Sequence, residues 1–597
     1  MQKPHKSESV NNFLPAGRKE MLARGWERPD IVLVTGDAYV DHPSFGISLI
    51  GRWLESHGYR VAILAQPRHH DHQDFMKFGA PRLFFGITAG NLDSIVANYT
   101  GNARVRDDDS YSPGGNPYFA EKKQKSERRR PDRATIRYAS LARAAYPEAP
   151  IVLGGLEASL RRFIHYDYQQ ARLRASVLTD AKADLLVFGM GEEAILSIAR
   201  RLDKKEPLSG IPGTCERLTE KEFRLRADLA PPQPLPSWQE ISDTPAAFMA
   251  AELAVDEHAR SLSTTPLYQK QQAMYLWQNR PAAPLAQNEL DHLYSLPFQG
   301  APHPDTPDIP AWRMVRHSVT IVRGCSGNCS FCAITRHQGP LVTSRSVNSI
   351  TSEVKKLSAL PHFRGTISDL GGPTANLFAT SCRIKNCKKH DCFFPELCKN
   401  LEVNEEIFLE MLDECEKIAG VKHLFVSSGL RMELLLKTGK LLKRLLQKHL
   451  PGSMKIAPEH TEDNVLRLMH KPGGHLLPDF IERCRQLVGK GKLQFIPYFI
   501  SSHPGCSEKD MERLGERIKK IGLEVRQFQD FTPTPGTIST AMYVTGLDRD
   551  SGKKIQVAKG TTARKKQRQI LEGITHRKRK APDPGRKKTG KKSGRRK

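Results

Sequence analysis

Cys325, Cys329 and Cys332 stand in the run Arg323-Gly324-Cys325-Ser326-Gly327-Asn328-Cys329-Ser330-Phe331-Cys332, a C-x3-C-x2-C spacing. Three thiols within eight residues suit an iron–sulfur cluster, because such clusters are held by cysteine thiolates. A [4Fe–4S] cluster has four irons, so three local ligands leave one iron open. An open metal position is where a centre does chemistry rather than only holding a fold. The alternative is a structural zinc knot, but zinc ordinarily takes a fourth local ligand, often as paired C-x2-C units. The apolar, β-branched stretch Val319-Thr320-Ile321-Val322 ahead of the run predicts a strand that delivers the cysteine loop.

A second group, Cys382, Cys387, Cys392 and Cys398, has the spacing C-x4-C-x4-C-x5-C. Four thiols within 17 residues can complete a closed metal site, zinc or an auxiliary iron–sulfur cluster. A folded insertion with unligated thiols is the other reading. Arg383, Lys385, Lys388, Lys389 and His390 lie between these cysteines and favour the thiolate form. Cys215, Cys415 and Cys484 read as core thiols, and Cys506 has no partner pattern.

The cysteine run, with an aromatic residue (Phe331) before its third cysteine and a strand before the loop, resembles the radical SAM superfamily. Longer motifs carry the resemblance to its YgiQ-like family: Asp369-Leu370-Gly371-Gly372-Pro373-Thr374-Ala375-Asn376, Lys455-Ile456-Ala457-Pro458-Glu459-His460, Pro497-Tyr498-Phe499-Ile500, and in the N-terminal half Gly36-Asp37-Ala38-Tyr39-Val40-Asp41-His42-Pro43-Ser44-Phe45-Gly46 and Gly154-Gly155-Leu156-Glu157-Ala158-Ser159-Leu160-Arg161-Arg162. The resemblance implies that S-adenosylmethionine binds the open iron through its amino and carboxylate groups. One electron then cleaves the sulfonium to methionine and a 5′-deoxyadenosyl radical. It also implies a one-electron reductant such as flavodoxin or ferredoxin, and it leaves the substrate open. Gly371 and Gly372 resemble the glycine-rich edge that meets the amino group of S-adenosylmethionine, where side chains would block close approach; a plain turn pair is the alternative. Ser428 and Arg431 close the third predicted strand, and an arginine there can pair with the carboxylate of S-adenosylmethionine. Glu459, after the fourth, can accept hydrogen bonds from ribose hydroxyls, or can simply be a helix-start carboxylate.

These residues need a scaffold, and the periodicity predicts an α/β chain. Residues 1–230 read as a doubly wound, flavodoxin-like domain. Its strands are Ile31–Thr35, Tyr59–Leu64, Leu83–Ile87, Ile151–Gly155 and Leu185–Gly189, with Ile47, Ile50 and Leu54 at helical spacing. The arrangement resembles cobalamin-binding domains. The cobalt-ligating D-x-H-x-x-G pattern is nevertheless met only by Asp41-His42-Pro43-Ser44-Phe45-Gly46, whose spacing is wrong, so cobalamin at His42 is not expected. Residues 104–133 read as a long surface loop or active-site cover, and residues 231–311 as a connector. Residues 312–546 show six strand–helix alternations, with strands near 318–323, 365–370, 423–428, 454–458, 493–500 and 524–531. This pattern predicts a partial (βα)6 TIM-type barrel with its chemistry at the C-terminal strand ends. On the predicted helices, Val347, Ile350, Val354 and Leu357 share a face, as do Ile407, Phe408, Met411, Leu412, Cys415 and Ile418.

At 597 residues, 39% hydrophobic and 26% charged, the chain is long enough for two or three domains. No stretch approaches 18 uninterrupted apolar residues, so no membrane span is expected. The first residues carry no apolar signal core, and a cytoplasmic, reducing location is expected. Of the net charge of +27, residues 551–597 carry +17 (19 Lys/Arg against Glu572 and Asp583), leaving +10 for the rest. Residues 547–597 therefore read as a disordered basic tail. Such a tail can touch nucleic-acid phosphates nonspecifically, although no aromatic residues interleave with it to stack bases. Modification of RNA such as tRNA is thus one narrower expectation. A non-enzymatic, metal-stabilised RNA-binding or scaffold protein is the rival class.

Overall fold

A computed structural model describes residues 12–121, 124–385, 387–489, 493–525 and 527–575. Its N-terminal half is organised by a nine-stranded sheet. Five strands are parallel, in the spatial order Val61–Ala65, Ile31–Thr35, Phe84–Thr88, Ile151–Leu153 and Leu185–Val187. Ile31–Thr35 is buried along its whole length, as expected of a parallel strand covered on both faces. Alternate residues serve two cores: Val32 and Val34 pack with Phe85 and Tyr138 on one face, Ile31 and Leu33 with Ile63 and Ile198 on the other.

Four more strands continue the sheet: Thr214–Leu218, Met274–Gln278, Leu267–Gln271 and Gln233–Leu235. Residues 231–311, expected as a connector, thus contribute three strands to the N-terminal sheet. The physical reason is a set of buried glutamines that disguise the strand pattern. Gln269 Oε1 accepts from Ile164 N at 3.0 Å, Gln271 Oε1 from Ser176 N at 3.0 Å, and Gln278 Oε1 from Arg162 Nε at 2.8 Å. Satisfied amides can be buried where unsatisfied ones cannot. The segment 104–133 also differs from a surface loop. Arg130 is 1% exposed within it, paired to Asp37 and Asp109, and Tyr111 reaches the large cavity described below.

In the C-terminal half, short parallel strands pair in chain order. Ser318–Thr320 pairs with Asp369–Gly371, Thr366–Ile367 with His423–Leu424, Ser453–Glu459 with Gln494–Ser501, and the last with Gln527–Asp530. A parallel bridge from Leu430 to Ile456 joins the third and fourth steps. Helices Val347–Ser358 and Glu405–Glu416 bury Ile350, Val354 and Leu357, and Phe408, Met411, Leu412 and Cys415, against these strands. Ile407, expected on that face, is exposed.

The expected disordered tail is corrected over its first part. Residues 561–575 form a helix, Thr561–Thr575, packed on the helix Glu508–Ile521. Leu571 is fully buried, and Gln567 donates to Cys506 O at 2.8 Å and accepts from Ser502 N at 2.9 Å. Arg564, Gln567 and Leu571 recur at helical spacing, so a segment that looks basic throughout has one face that packs. Residues 576–597, the rest of that expectation, lie outside the described residues. Among the described residues, no helix is long and apolar enough to cross a membrane.

Candidate active site

The strand Val322–Arg323 delivers the cysteine loop, as the sequence predicts. Gly324 turns it at φ +78°, and a Cβ there would lie 1.8 Å from Leu341 O, so only glycine fits. Cys325 N donates to Gly339 O at 3.2 Å, Cys332 N to Cys329 O at 3.0 Å, and Ile334 N to Cys332 Sγ at 3.4 Å. Cys325 is buried, and Cys329 and Cys332 are half-buried. Burial, reinforced by Cys329, pushes the Cys332 thiol up to about 12.

The cation beside these three thiols is Arg431. Its Nη2 lies 3.6 Å from Cys329 Sγ and 3.9 Å from Cys325 Sγ, while Nη1 pairs with Glu433 Oε1 at 2.8 Å. Phe393 lies under the guanidinium at 3.9 Å, and the buried Nε has no partner. Gly327 makes room: a Cβ there would come within 2.1 Å of Arg431 Nη2. Tetrahedral zinc with 2.3 Å bonds draws its sulfurs to roughly 3.8 Å apart. Among the described residues the only acidic, His or Cys trio within 4.8 Å of one another is Glu20, His303 and Asp305. The three sulfurs form no such trio, and three thiols with an arginine beside them fit an iron–sulfur cluster with one iron left open.

A cavity of about 170 Å³ opens beside the three cysteines. Phe331, Arg431, Glu459 and Lys471 also line it. Glu459 ends the strand Ser453–Glu459 in the left-handed region, at φ +65°. Such strain in a non-glycine residue is found where surrounding structure over-determines it, often at functional sites. Burial raises the Glu459 carboxyl above its ordinary range, opposed by Lys471 and Arg431. The other expected contacts sit differently. A Cβ on Gly371 would meet Asp369 Oδ2 and Ser428 Oγ at 2.2 Å, and the Gly371 carbonyl already accepts Ile321 N at 2.8 Å. Ser428 donates its hydroxyl to Asp369, whose other oxygen accepts the amides of Ser427 and Ser428 at 2.7 and 3.0 Å. Gly371 and Ser428 are thus joined to Asp369 at the strand ends. Gly372 lines a second cavity.

That second cavity, of about 580 Å³, lies between the C-terminal ends of the N-terminal parallel strands and the cysteine-loop side of the other half. Gly86, Gly90, Gly154, Gly155 and Gly189 are among the residues that line it, and Pro373 and Ile334 line both cavities. Crevices at the carboxyl ends of parallel strands, where the strand order switches direction, are favoured ligand sites. His42 is buried, and its Nδ1 accepts from Ser44 N at 3.1 Å; it does not line this space. His337 does. Ser159 Oγ donates to Gly155 O at 2.9 Å and accepts from Gly189 N at 3.0 Å, so its 3.0 Å contact with His337 Nδ1 places the imidazole proton on Nδ1. The Nε2 lone pair remains, and burial holds this imidazole down to about 4, neutral at ordinary pH. His337, Asp369, Lys471 and Phe393 were not singled out from sequence. Only the position of Asp369 in the glycine motif pointed at any of them.

The second cysteine group gathers in one insertion, closed by the strands Thr380–Cys382 and Leu401–Val403. Cys392 N donates to Ser326 O at 2.9 Å, which ties the insertion to the first cysteine loop.

A family model described as Radical SAM N-terminal matches residues 13–318. A UPF0313 protein of Thermotoga maritima is 44% identical over 575 residues, covering 93% of this chain and 98% of that protein. One from Geobacter sulfurreducens is 44% identical over 570 residues, covering 94% and 92%. Among solved structures, the chain is similar to the radical S-adenosylmethionine methyltransferase TsrM from Kitasatospora setae. With tryptophan substrate and a SAM analogue bound, that protein gives a TM-score of 0.51 at 13% identity, over 91% of this chain and 88% of that one. With cobalamin and a [4Fe–4S] cluster bound, it gives 0.50 at 12%, over 92% and 91%. At such identities the likeness is one of fold. Sequence identity over nearly the whole chain and the family model together set the scaffold alternative aside: this chain belongs to the YgiQ-like UPF0313 family of radical SAM proteins and is an enzyme, with its reaction unassigned.

Proposed function

We propose that this enzyme cleaves S-adenosylmethionine reductively at a [4Fe–4S] cluster held by Cys325, Cys329 and Cys332, and that its substrate occupies the 580 Å³ chamber. The observation that carries the reading is the shared wall: Ile334, two residues after Cys332, and Pro373, next to Gly372, line both cavities. We read the six parallel strand steps as an open (βα)6 barrel with the cysteine loop at a C-terminal strand end. When bound, the cluster supplies one electron to the sulfonium, giving methionine and a 5′-deoxyadenosyl radical that abstracts hydrogen.

The chain's own residues do the positioning. Arg431 offsets thiolate charge, a closer task than the carboxylate pairing expected of it. Lys471 is the second cation of the small cavity. Glu459 accepts from ribose hydroxyls, Gly372 leaves room on the chamber side, and Ser428 with Asp369 holds Gly371 in place. Apolar walls exclude water, which protects a reactive intermediate. His337 Nε2 offers a neutral acceptor to a substrate N–H or O–H. A low-potential carrier of the flavodoxin or ferredoxin kind supplies the electron.

A second reading puts cobalamin in the chamber. The TsrM structure with cobalamin and the glycines that line the chamber favour it over the sequence expectation, and His42 plays no part. Two measurements test these readings. Anaerobically reconstituted protein should form 5′-deoxyadenosine and methionine with reductant; product no higher than in a Cys325→Ala control refutes the enzymatic reading. Incubation with hydroxocobalamin followed by gel filtration decides the second: corrinoid absorbance retained in proportion to protein supports it, and its absence leaves the chamber to substrate.

A further inference from the structure

We propose that Cys382, Cys387, Cys392 and Cys398 hold a second, fully ligated iron–sulfur cluster beside the first cysteine loop. The proposal does not depend on S-adenosylmethionine chemistry at Cys325, Cys329 and Cys332.

Four thiols fall within 17 residues of one small insertion, and none forms a disulfide. Cys382 ends one strand of a short antiparallel ribbon, opposite Leu401. That ribbon closes the loop, with Arg383 N donating to Asn400 O at 3.0 Å and Leu401 N to Cys398 O at 3.2 Å. Inside it, Cys398 N donates to Cys392 O at 2.8 Å. His390 takes φ +38° in this loop, a conformation that costs energy in a non-glycine residue. Its ring is anchored outside the group, with Nδ1 against Arg260 O at 2.5 Å. Arg383, Lys385, Lys388 and Lys389 between the cysteines are exposed and so are surface groups.

The spacing of the sulfurs favours a cluster over zinc. No three of the four lie within 4.8 Å of one another among the described residues, wider than the roughly 3.8 Å of tetrahedral zinc. A cubane places each thiolate on a separate iron corner and needs the wider set. The exposure is graded: Cys382 is exposed, Cys387 and Cys398 are half-buried, and Cys392 is buried. The buried end points at the first loop. Cys392 N donates to Ser326 O, next to Cys325, and the following residue, Phe393, lies under Arg431. Four protein ligands leave no iron open, so S-adenosylmethionine has no place on this cluster.

The test counts iron and acid-labile sulfide in anaerobically reconstituted full-length protein and records EPR spectra with and without S-adenosylmethionine. Wild-type protein should hold about eight irons and eight sulfides per chain, and Cys387→Ser/Cys398→Ser should lose about half. Cys325→Ala/Cys329→Ala should also lose half, and its remaining signal should not shift with S-adenosylmethionine. A wild-type content of about four irons overturns the proposal, as does one zinc per chain that the Cys387→Ser/Cys398→Ser variant loses. If that variant does not fold, the other decides alone: about four irons retained supports the second cluster, and none retained overturns it. A failure of the proposed function reads differently, as no S-adenosylmethionine-dependent shift in any protein while the iron count stands.

Discussion

Arg431→Met separates a structural arginine from one that tunes the cluster. In the folded chain this guanidinium meets Glu433 at 2.8 Å, with both side chains about nine-tenths buried, and lies 3.6 and 3.9 Å from two cysteine sulfurs. Methionine keeps much of the stem's packing and leaves Glu433 as a buried, unpaired charge. Breaking a buried pair from one side costs about 3–5 kcal/mol, so the apo variant should unfold at clearly lower denaturant. The double variant Arg431→Met/Glu433→Gln removes both charges and should recover most of that loss. The effect on the cluster is separate. A unit charge about 4 Å away is worth about 4 kcal/mol at an effective dielectric constant of about 20. An added electron spreads over the whole cluster, and if about half of that energy is felt, the midpoint should fall by on the order of 90 mV. In the double variant the lost carboxylate offsets part of this shift, so redox titration of reconstituted Arg431→Met, monitored by EPR, is the measurement that reads it. A midpoint within about 20 mV of wild type would refute the reasoning and leave Arg431 as a packing residue only.

Other perturbations follow from particular contacts. Gly324→Ala forces a Cβ against Leu341 O and should displace the cysteine loop, so reconstituted protein should lose the irons of the first site while its secondary structure persists by circular dichroism. Leu571→Ala should cost about 2–5 kcal/mol in denaturant unfolding, because that side chain is fully buried; an unchanged midpoint would return the helix to the status of a tail. Acid should destabilise the fold through buried neutral imidazoles. His42 and His460 are held down to about 4 and His503 to about 3, each mainly by burial. The unfolded chain binds these protons from pH 6.5 downward and the folded chain does not, so their contribution is fully present above about pH 6.5 and is lost as pH falls toward 4. Thermal midpoints should be flat above pH 7 in this respect and decline below 6.5, with a shallower decline in His460→Gln.

Much of the machinery was legible from local sequence. The cysteine run, the β-branched strand before it and the positions of six strand steps could be read because each depends on neighbours in the chain: thiol spacing, period-two or 3.6-residue hydrophobic pattern, and glycine where a turn is tight. What sequence misread were elements whose stability lies in distant partners. Gln269, Gln271 and Gln278 look like connector residues until Ile164, Ser176 and Arg162 supply their hydrogen bonds. The helix Thr561–Thr575 looks like a basic tail until Leu571 and Gln567 find the core.

The site divides along the same line. Residue order determined which side chains are available: three cysteines, then four more, a glycine pair, an arginine and a glutamate at strand ends. Tertiary structure decided what each one does. It tied Ser428 to Asp369 beside Gly371, set Arg431 against two cysteine sulfurs, and brought His337 rather than His42 to the chamber. Composition and spacing act through the chain itself, whereas charge compensation, cavity walls and a histidine's proton position arise only when segments more than a hundred residues apart are packed together, as Ser159 and His337 are.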